Sequence, residues 1–175
     1  MDSKEKLKKF WKNKKVFITG HTGFKGSWLS IILNSLNSEI HGYSLKPKKN
    51  SLYSKSKIEK ELSSNTYANI NNKIKLKNKI YSCKPEIIFH LAAQPLVLES
   101  YKKPFETFNT NINGTLNLLE CIREFSFIKS VVIITTDKVY KIDKKNKNYK
   151  ETDELGGLDP YSSSKASAEL LIQTY

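Results

Sequence analysis

Arginine is almost missing from this chain: of 30 basic residues in 175, only Arg123 is not a lysine. Readers of bases and phosphates favour the bidentate guanidinium fork, so the shortage argues against a specific nucleic-acid partner. The lysines give a net charge of +13 and an isoelectric point near 9.6. They are scattered among many Asn and Ile residues, as compositional drift would leave them, and read as a solvated surface with non-specific polyanion adhesion at low salt. A basic nucleic-acid-binding module stays open as an alternative reading. Cysteine is scarce as well. Cys83 and Cys121 are too few and too far apart for a disulfide framework or a zinc cluster, and no ligand spacing joins them to the three histidines. A reducing, cytoplasmic setting and no metal are expected. No apolar run approaches the ~20 residues of a membrane span, so no membrane partner is expected. Four of the first six residues are charged, with no apolar stretch behind them to form a secretory signal.

The hydrophobic residues that are present alternate between two patterns. Short continuous runs at 15–19, 39–45, 85–91 and 130–135 read as buried strands, with a weaker candidate at 66–70. Between them, 27–36, 73–82 and 104–125 carry apolar residues at helical spacing. Ile74, Leu76 and Ile80 are expected to face inward from the second of these, and Phe105, Phe108, Ile112, Leu116, Leu119 and Ile122 from the third. Trp28 is expected between helix and sheet, and Cys121 in the core. Residues 46–65 read as a loop with room for a short helix, 141–150 as a Lys/Asn-rich loop, and 161–175 as a final helix. Continuous apolar strands alternating with helices predict an α/β fold, a doubly wound, mostly parallel Rossmann-type sheet covered on both faces. Residues 1–175 form one such domain.

The junction of the first strand and helix reads Thr19-Gly20-His21-Thr22-Gly23-Phe24-Lys25-Gly26. A dinucleotide pyrophosphate needs close backbone approach and the N–H groups of a helix N-terminus. Gly20 permits the tight turn, Gly23 clears room for phosphate, and Gly26 lets helix and strand touch. After the second strand, where an acid often holds the adenosine ribose, stand Ser44 and Leu45, then Lys46, Lys48 and Lys49. Those lysines could accept a 2′-phosphate, so NAD and NADP both stay open.

Near the C-terminus, Tyr161 and Lys165 stand four apart, on one face of a helix. A nearby ammonium favours a phenolate, which can take a proton from a substrate hydroxyl while hydride leaves the same carbon for a nicotinamide. Thr135-Thr136-Asp137-Lys138 follows the fifth strand, at the edge where open α/β sheets bind ligands. A hydroxyl there can join substrate and tyrosine. In a purely structural reading, Asp137 caps a turn.

With these residues in view, the chain resembles the extended short-chain dehydrogenase/reductases, the NAD-dependent epimerase/dehydratase family, and within it the CDP-glucose 4,6-dehydratase branch. The likeness is carried by VFITGHTGFKGSWLS at 16–30, KPEIIFHLAAQPLV at 84–97, PFETFNTNINGTLNLLE at 104–120, TTDKVY at 135–140 and GGLDPYSSSKASAELL at 156–171. It implies a lyase working by internal redox on a nucleotide sugar. Hydride goes from C4 of CDP-glucose to NAD, water leaves across C5 and C6, and hydride returns to C6. The CDP-4-keto-6-deoxyglucose formed would serve surface-polysaccharide synthesis. A related sugar-nucleotide epimerase or GDP-mannose-type dehydratase is the neighbouring alternative.

By the same resemblance Tyr161 is the base and Lys165 its electrostatic helper, which also grips the nicotinamide ribose. Thr136 bonds the C4 oxygen, and Asp137 protonates the departing C6 hydroxyl. Lys138 stands where most 4,6-dehydratases carry the Glu that removes the C5 proton. Gly20, Gly23, Phe24, Lys25 and Gly26 cradle the pyrophosphate; Leu91, Ala92, Ala93 and Gln94 line the cofactor's ribose side. Residues 68–72 lack the acids usual in the family, which predicts a weaker hold on adenine or ribose. Family members also carry a substrate portion beyond the Tyr–Lys helix. The chain is therefore expected to be an incomplete domain with little activity alone, a fragment or one completed by another polypeptide, with apolar surface on its last helix that favours self-association.

Overall fold

The computed structural model describes residues 2–142 and 148–175. Part of the Lys/Asn-rich loop expected at 141–150 lies outside the described residues. Five strands form one sheet: β1 (Lys15–Thr19), β2 (Glu39–Ser44), β3 (Ser64–Tyr67), β4 (Ile87–His90) and β5 (Ser130–Ile133). Every pairing is parallel and the order is β3-β2-β1-β4-β5. The order reverses between β1 and β4, so a crevice opens beyond their C-terminal ends, where Thr19 stands level with His90.

The expected strand at 66–70 begins two residues earlier, at Ser64. Its pairing with His41 through Ser44 of β2 supplies the register that four intermediate-burial polar residues could not announce.

The helices are α1 (Ser3–Trp11), α2 (Phe24–Ser35), α3 (Leu52–Ser56), α4 (Lys73–Cys83), α5 (Val97–Lys102), α6 (Pro104–Phe108), α7 (Gly114–Ile122) and α8 (Pro160–Thr174). On one sheet face Phe17, Tyr43 and Ile88 pack with Ile70, with Leu76 and Ile80 of α4, and with Leu118 and Cys121 of α7. On the other, Val16, Ile18 and Ile40 pack with Leu33 of α2. Burying a side chain of this size contributes roughly 1.5–3 kcal/mol, which makes β1 the anchor of both layers.

Three expected faces are rotated. Trp28 is 49% exposed, because α2 turns its small residues Gly26, Ser27 and Ser30 to the sheet and approaches too closely to admit an indole. Ile74 is exposed while Leu76 and Ile80 are fully buried. The helix expected at 104–125 is divided: between α6 and α7, Asn109–Asn113 form a π-helical turn. The widened turn inserts a residue into the helical ladder and shifts the inward stripe. Thr107, Asn111, Gly114, Thr115 and Leu118 face in, and Phe105 is exposed.

Candidate active site

The glycine turn is built on one left-handed residue. Gly20 has φ +75°, and a Cβ there would lie 2.6 Å from the Ala92 amide nitrogen. The Gly20 amide donates to the Tyr43 carbonyl at 2.9 Å, the Gly23 amide donates to the Gly20 carbonyl at 3.0 Å, and α2 starts at once. The first hydrogen bond into α2 runs from the Ser27 amide to the Gly23 carbonyl at 2.8 Å. The Phe24, Lys25 and Gly26 amides precede it and face out of the helix end. A Cβ on Gly26 would strike the Gly20 carbonyl oxygen and come within 2.7 Å of His21 Cα. Such a cradle, free of side chains and rimmed by amides, fits a diphosphate. Ser44 joins it from β2: the Thr22 and Ser44 hydroxyls lie 2.8 Å apart, and Thr22 also donates to the Leu45 carbonyl at 3.0 Å.

Leu91, Ala92, Ala93 and Gln94 leave β4 on the other side of the crevice. Leu91 extends the ladder to the Thr19 carbonyl at 3.0 Å. Asn111, buried in the π-helical turn, clamps Gln94 by its backbone, accepting from the amide at 2.8 Å and donating to the carbonyl at 3.2 Å. The Gln94 side chain closes its own loop, donating to Thr107 and to the Leu96 carbonyl while accepting from the Leu96 amide.

Helix α8 brings Tyr161 and Lys165 to this edge. Asp159 caps it, accepting from the Ser162 amide at 3.0 Å and hydroxyl at 2.6 Å, and Pro160 fills the first helical position. Burial works against the Asp159 charge, but the Ser162 and Tyr161 donors and the Lys138 ammonium hold it below the usual carboxylate range. The Tyr161 amide donates to buried Ser100 Oγ at 3.1 Å, and Asn111 Nδ2 donates to Ser164 Oγ at 2.8 Å.

Lys165 is 5% exposed, and its Nζ donates to the Ile134 carbonyl just past β5. Burial lowers its pKa to about 8, with Glu169 opposing and the Lys25 ammonium reinforcing the shift.

The turn after β5 differs in one detail from a purely structural reading. Thr136, rather than Asp137, caps the 3-10 turn Asp137–Val139, accepting from the Lys138 amide at 3.4 Å. Asp137 is exposed and accepts from the Thr136 hydroxyl at 3.1 Å. The turn packs against α8.

Among the described residues no group of three His, Cys, Asp or Glu side chains could hold a metal ion, and no helix is long and apolar enough to cross a membrane.

Residues 17–175 match the family model described as GDP-mannose 4,6 dehydratase. The chain belongs to that family. A CDP-glucose 4,6-dehydratase of Salmonella typhimurium is 46% identical over 169 residues, 96% of this chain and 47% of the relative. A dTDP-D-glucose 4,6-dehydratase of Dictyostelium discoideum is 33% identical over 92% of this chain and 40% of its own length. Among solved structures, the UDP-glucose 4-epimerase of Thermus thermophilus in complex with NAD superposes with a TM-score of 0.79 at 27% identity, covering 91% of this chain and 50% of that one. Its Thermotoga maritima counterpart with UDP-glucose gives 0.80 at 25% identity over 91% and 50%. The chain spans about half the length of the curated relatives it matches.

Several buried residues that hold this crevice together have no role that their local sequence announces. Asn111, Ser100, Thr19 and Thr115 are buried polar side chains inside apolar or unremarkable stretches. The only signal was an amide and two hydroxyls recurring on one side of a helix whose other side carried the aromatic residues.

Proposed function

We propose that this chain supplies the NAD-binding and proton-transfer half of a sugar-nucleotide 4,6-dehydratase that acts on CDP-glucose. One observation carries the reading: the amide-rimmed glycine turn after β1 and the Lys165 ammonium at the Ile134 carbonyl after β5 lie at the same C-terminal edge of one parallel sheet. The likeness to the Salmonella typhimurium dehydratase supports the choice of sugar nucleotide.

In this reading the Phe24, Lys25 and Gly26 amides would bind the pyrophosphate, and Ser44 would serve the adenosine ribose. Leu91 to Gln94 line the inner ribose wall. When bound, the nicotinamide supplies a reversible hydride acceptor. Tyr161 takes the proton from the C4 hydroxyl, and Lys165 steadies the phenolate while bonding the nicotinamide ribose. Thr136 orients the C4 oxygen. Asp137, entering protonated, would give its proton to the departing C6 hydroxyl while solvent water takes the C5 proton, and Lys138 lies on the same rim. Burial of Lys165 strengthens its own part by excluding water from the ammonium.

Titrating NAD while following thermal unfolding tests the cofactor half of the proposal. A hundredfold excess over Kd stabilises by roughly 2.7 kcal/mol, a rise of about 5–10 °C for a chain of this size. Tyr161→Phe should keep that rise and abolish any 4-keto sugar formed from CDP-glucose. No rise at millimolar NAD would refute the reading.

A further inference from the structure

Two threonines from opposite walls of the crevice share one imidazole. Thr19 ends β1 just before the turn glycine, Thr115 lies in the first turn of α7, and His90 ends β4 between them; all three are at least 98% buried. Thr19 Oγ1 is 2.7 Å from His90 Nδ1, and His90 Nε2 is 3.2 Å from Thr115 Oγ1. The Ala92 amide donates to Thr19 Oγ1 at 3.2 Å, and Thr115 Oγ1 donates to the Asn111 carbonyl at 2.7 Å.

The protons in this chain can be counted. Each hydroxyl has one to give. Thr115 gives its own to Asn111, so the contact from His90 must arrive as Nε2–H. A bare Nε2 would set two lone pairs against each other. If Nδ1 carried the proton, Thr19 would accept twice and its own hydrogen would meet no acceptor in the chain. With the proton on Nε2, Thr19 donates to bare Nδ1 and accepts from Ala92, and every group is used. A doubly protonated ring would bury a second cation beside Lys165. Burial, followed by the Lys165 charge, indeed lowers the His90 pKa to about 3.

We infer that His90 is a positioning residue, a permanently neutral Nε2–H imidazole that locks the glycine turn to the π-helical turn and, through Asn111 and Ser164, to the Tyr161–Lys165 helix. Its service to a cofactor rests on the reading proposed above; the clamp itself does not. At one end it fixes the Thr19 hydroxyl, which holds Ala92 against Gly20. At the other it fixes Thr115 and the carbonyl of Asn111, whose side chain bonds both Gln94 and Ser164. Ser164 in turn donates to the Tyr161 carbonyl at 2.7 Å. Both walls therefore move together or not at all.

The ring state is tested on the 175-residue chain with 15N-labelled histidine. Long-range ring correlations are assigned by losing His21 and His41 in turn through His21→Gln and His41→Gln. The remaining ring should show a proton on Nε2, a bare Nδ1, and no titration between pH 8 and 5. The opposite tautomer, or protonation in that range, overturns the inference. Coupling is tested with Thr19→Val, Thr115→Val and the double variant. The two threonines do not touch, yet they share the ring. The double variant should lose at least about threefold less in folding equilibrium constant than the product of the single losses. Strict multiplicativity overturns the clamp.

Under conditions where Thr115→Val is folded, it should also weaken NAD by about fivefold, although it lines the far side of the network; an unchanged Kd counts against positioning. If the wild type fails to bind NAD, the cofactor reading falls while tautomer and coupling still judge the clamp. If NAD binds and the threonines act independently, the clamp falls alone.

Discussion

Lys165 donates its ammonium to the carbonyl of Ile134 at 2.9 Å, tying the middle of α8 to the end of the edge strand β5. The contact satisfies one of three N–H donors, and burial leaves the charge poorly solvated, which is why its pKa falls to about 8 from 10.5. Between those two values the unfolded chain holds the proton more tightly than the folded one. Stability assigned to this residue therefore rises with pH across that window, and the burial penalty is fully felt below pH 8. Lys165→Met should be more stable than wild type at pH 7 by about 1–2 kcal/mol, after allowing for the lost hydrogen bond. The advantage should shrink by pH 10. Urea denaturation at both pH values decides; an advantage that grows with pH would contradict the burial account. The same variant should bind NAD more weakly, since stability here opposes the site's chemistry.

Two glycines in helices make a second, internally controlled prediction. An added Cβ at Gly26 meets backbone, the Gly20 carbonyl and His21 Cα, which cannot move without moving the turn. At Gly114 it meets Ile70 Cγ2 at 2.6 Å, a methyl on the branched Cβ of a buried side chain rather than backbone. Both substitutions by alanine gain about 0.5–1 kcal/mol of helix propensity. Gly114→Ala should therefore cost less than Gly26→Ala, staying within about 2 kcal/mol of wild type. Gly26→Ala should lose about 1–3 kcal/mol from overpacking and abolish the thermal rise with NAD. Equal effects of the two would show that the close approach at Gly26 is not what shapes the turn.

Ser100 offers a third. Its hydroxyl accepts from the Tyr161 amide at 3.1 Å and donates to the Val97 carbonyl at 2.7 Å, in a fully buried position. Ser100→Ala removes one of the two acceptors of the first-turn amide of α8, Asp159 being the other, and should cost about 1 kcal/mol. Because the glycine cradle is untouched, NAD affinity measured on the folded variant should change less than for Gly26→Ala. A loss of NAD binding with no loss of stability would place Ser100 in a different role.

What could be read from the sequence followed from short-range chemistry. The apolar run at 15–19, the three glycines spaced by two residues, and the Tyr–Lys pair behind Pro160 each specify a local conformation, and each stands where local rules put it. The failures share a different cause. The 3.6 period of 104–125 does not hold throughout, because a π-helical turn held by Asn111 to Gln94 and Ser164 rotates the helix, leaving Phe105 outside and Thr107 within. Trp28 followed the same pattern and lost its place because glycine and serine let α2 sit nearer the sheet than an indole allows. The polar network between β1, β4 and α7 was invisible for the same reason: its members lie 25 to 73 residues apart, and none is unusual by itself.

At the opposite end of the sheet from the crevice, Glu86 accepts from Lys14 at 2.9 Å and from Lys129 at 3.0 Å. Both ammonium groups, Lys14 foremost, stabilise the carboxylate and bring its pKa down from 4.5 to about 2. A lowered acid contributes stability that is complete above pH 4.5 and vanishes as pH falls through 2, the reverse of the Lys165 case. Lys129 is 70% exposed, so screening limits its share, and the pair with Lys14 carries most of the gain. Backbone hydrogen bonds from Glu86 to Lys15 and from Lys129 to Glu86 already hold the strand starts together, so the charges add to a formed structure. Glu86→Gln should cost about 1 kcal/mol at pH 7, with little difference from wild type near pH 2. Since Glu86 lies far from the glycine cradle, NAD should stabilise the variant by the same increment as wild type. A cost that persists undiminished at pH 2 would mean that packing, not charge, explains the position.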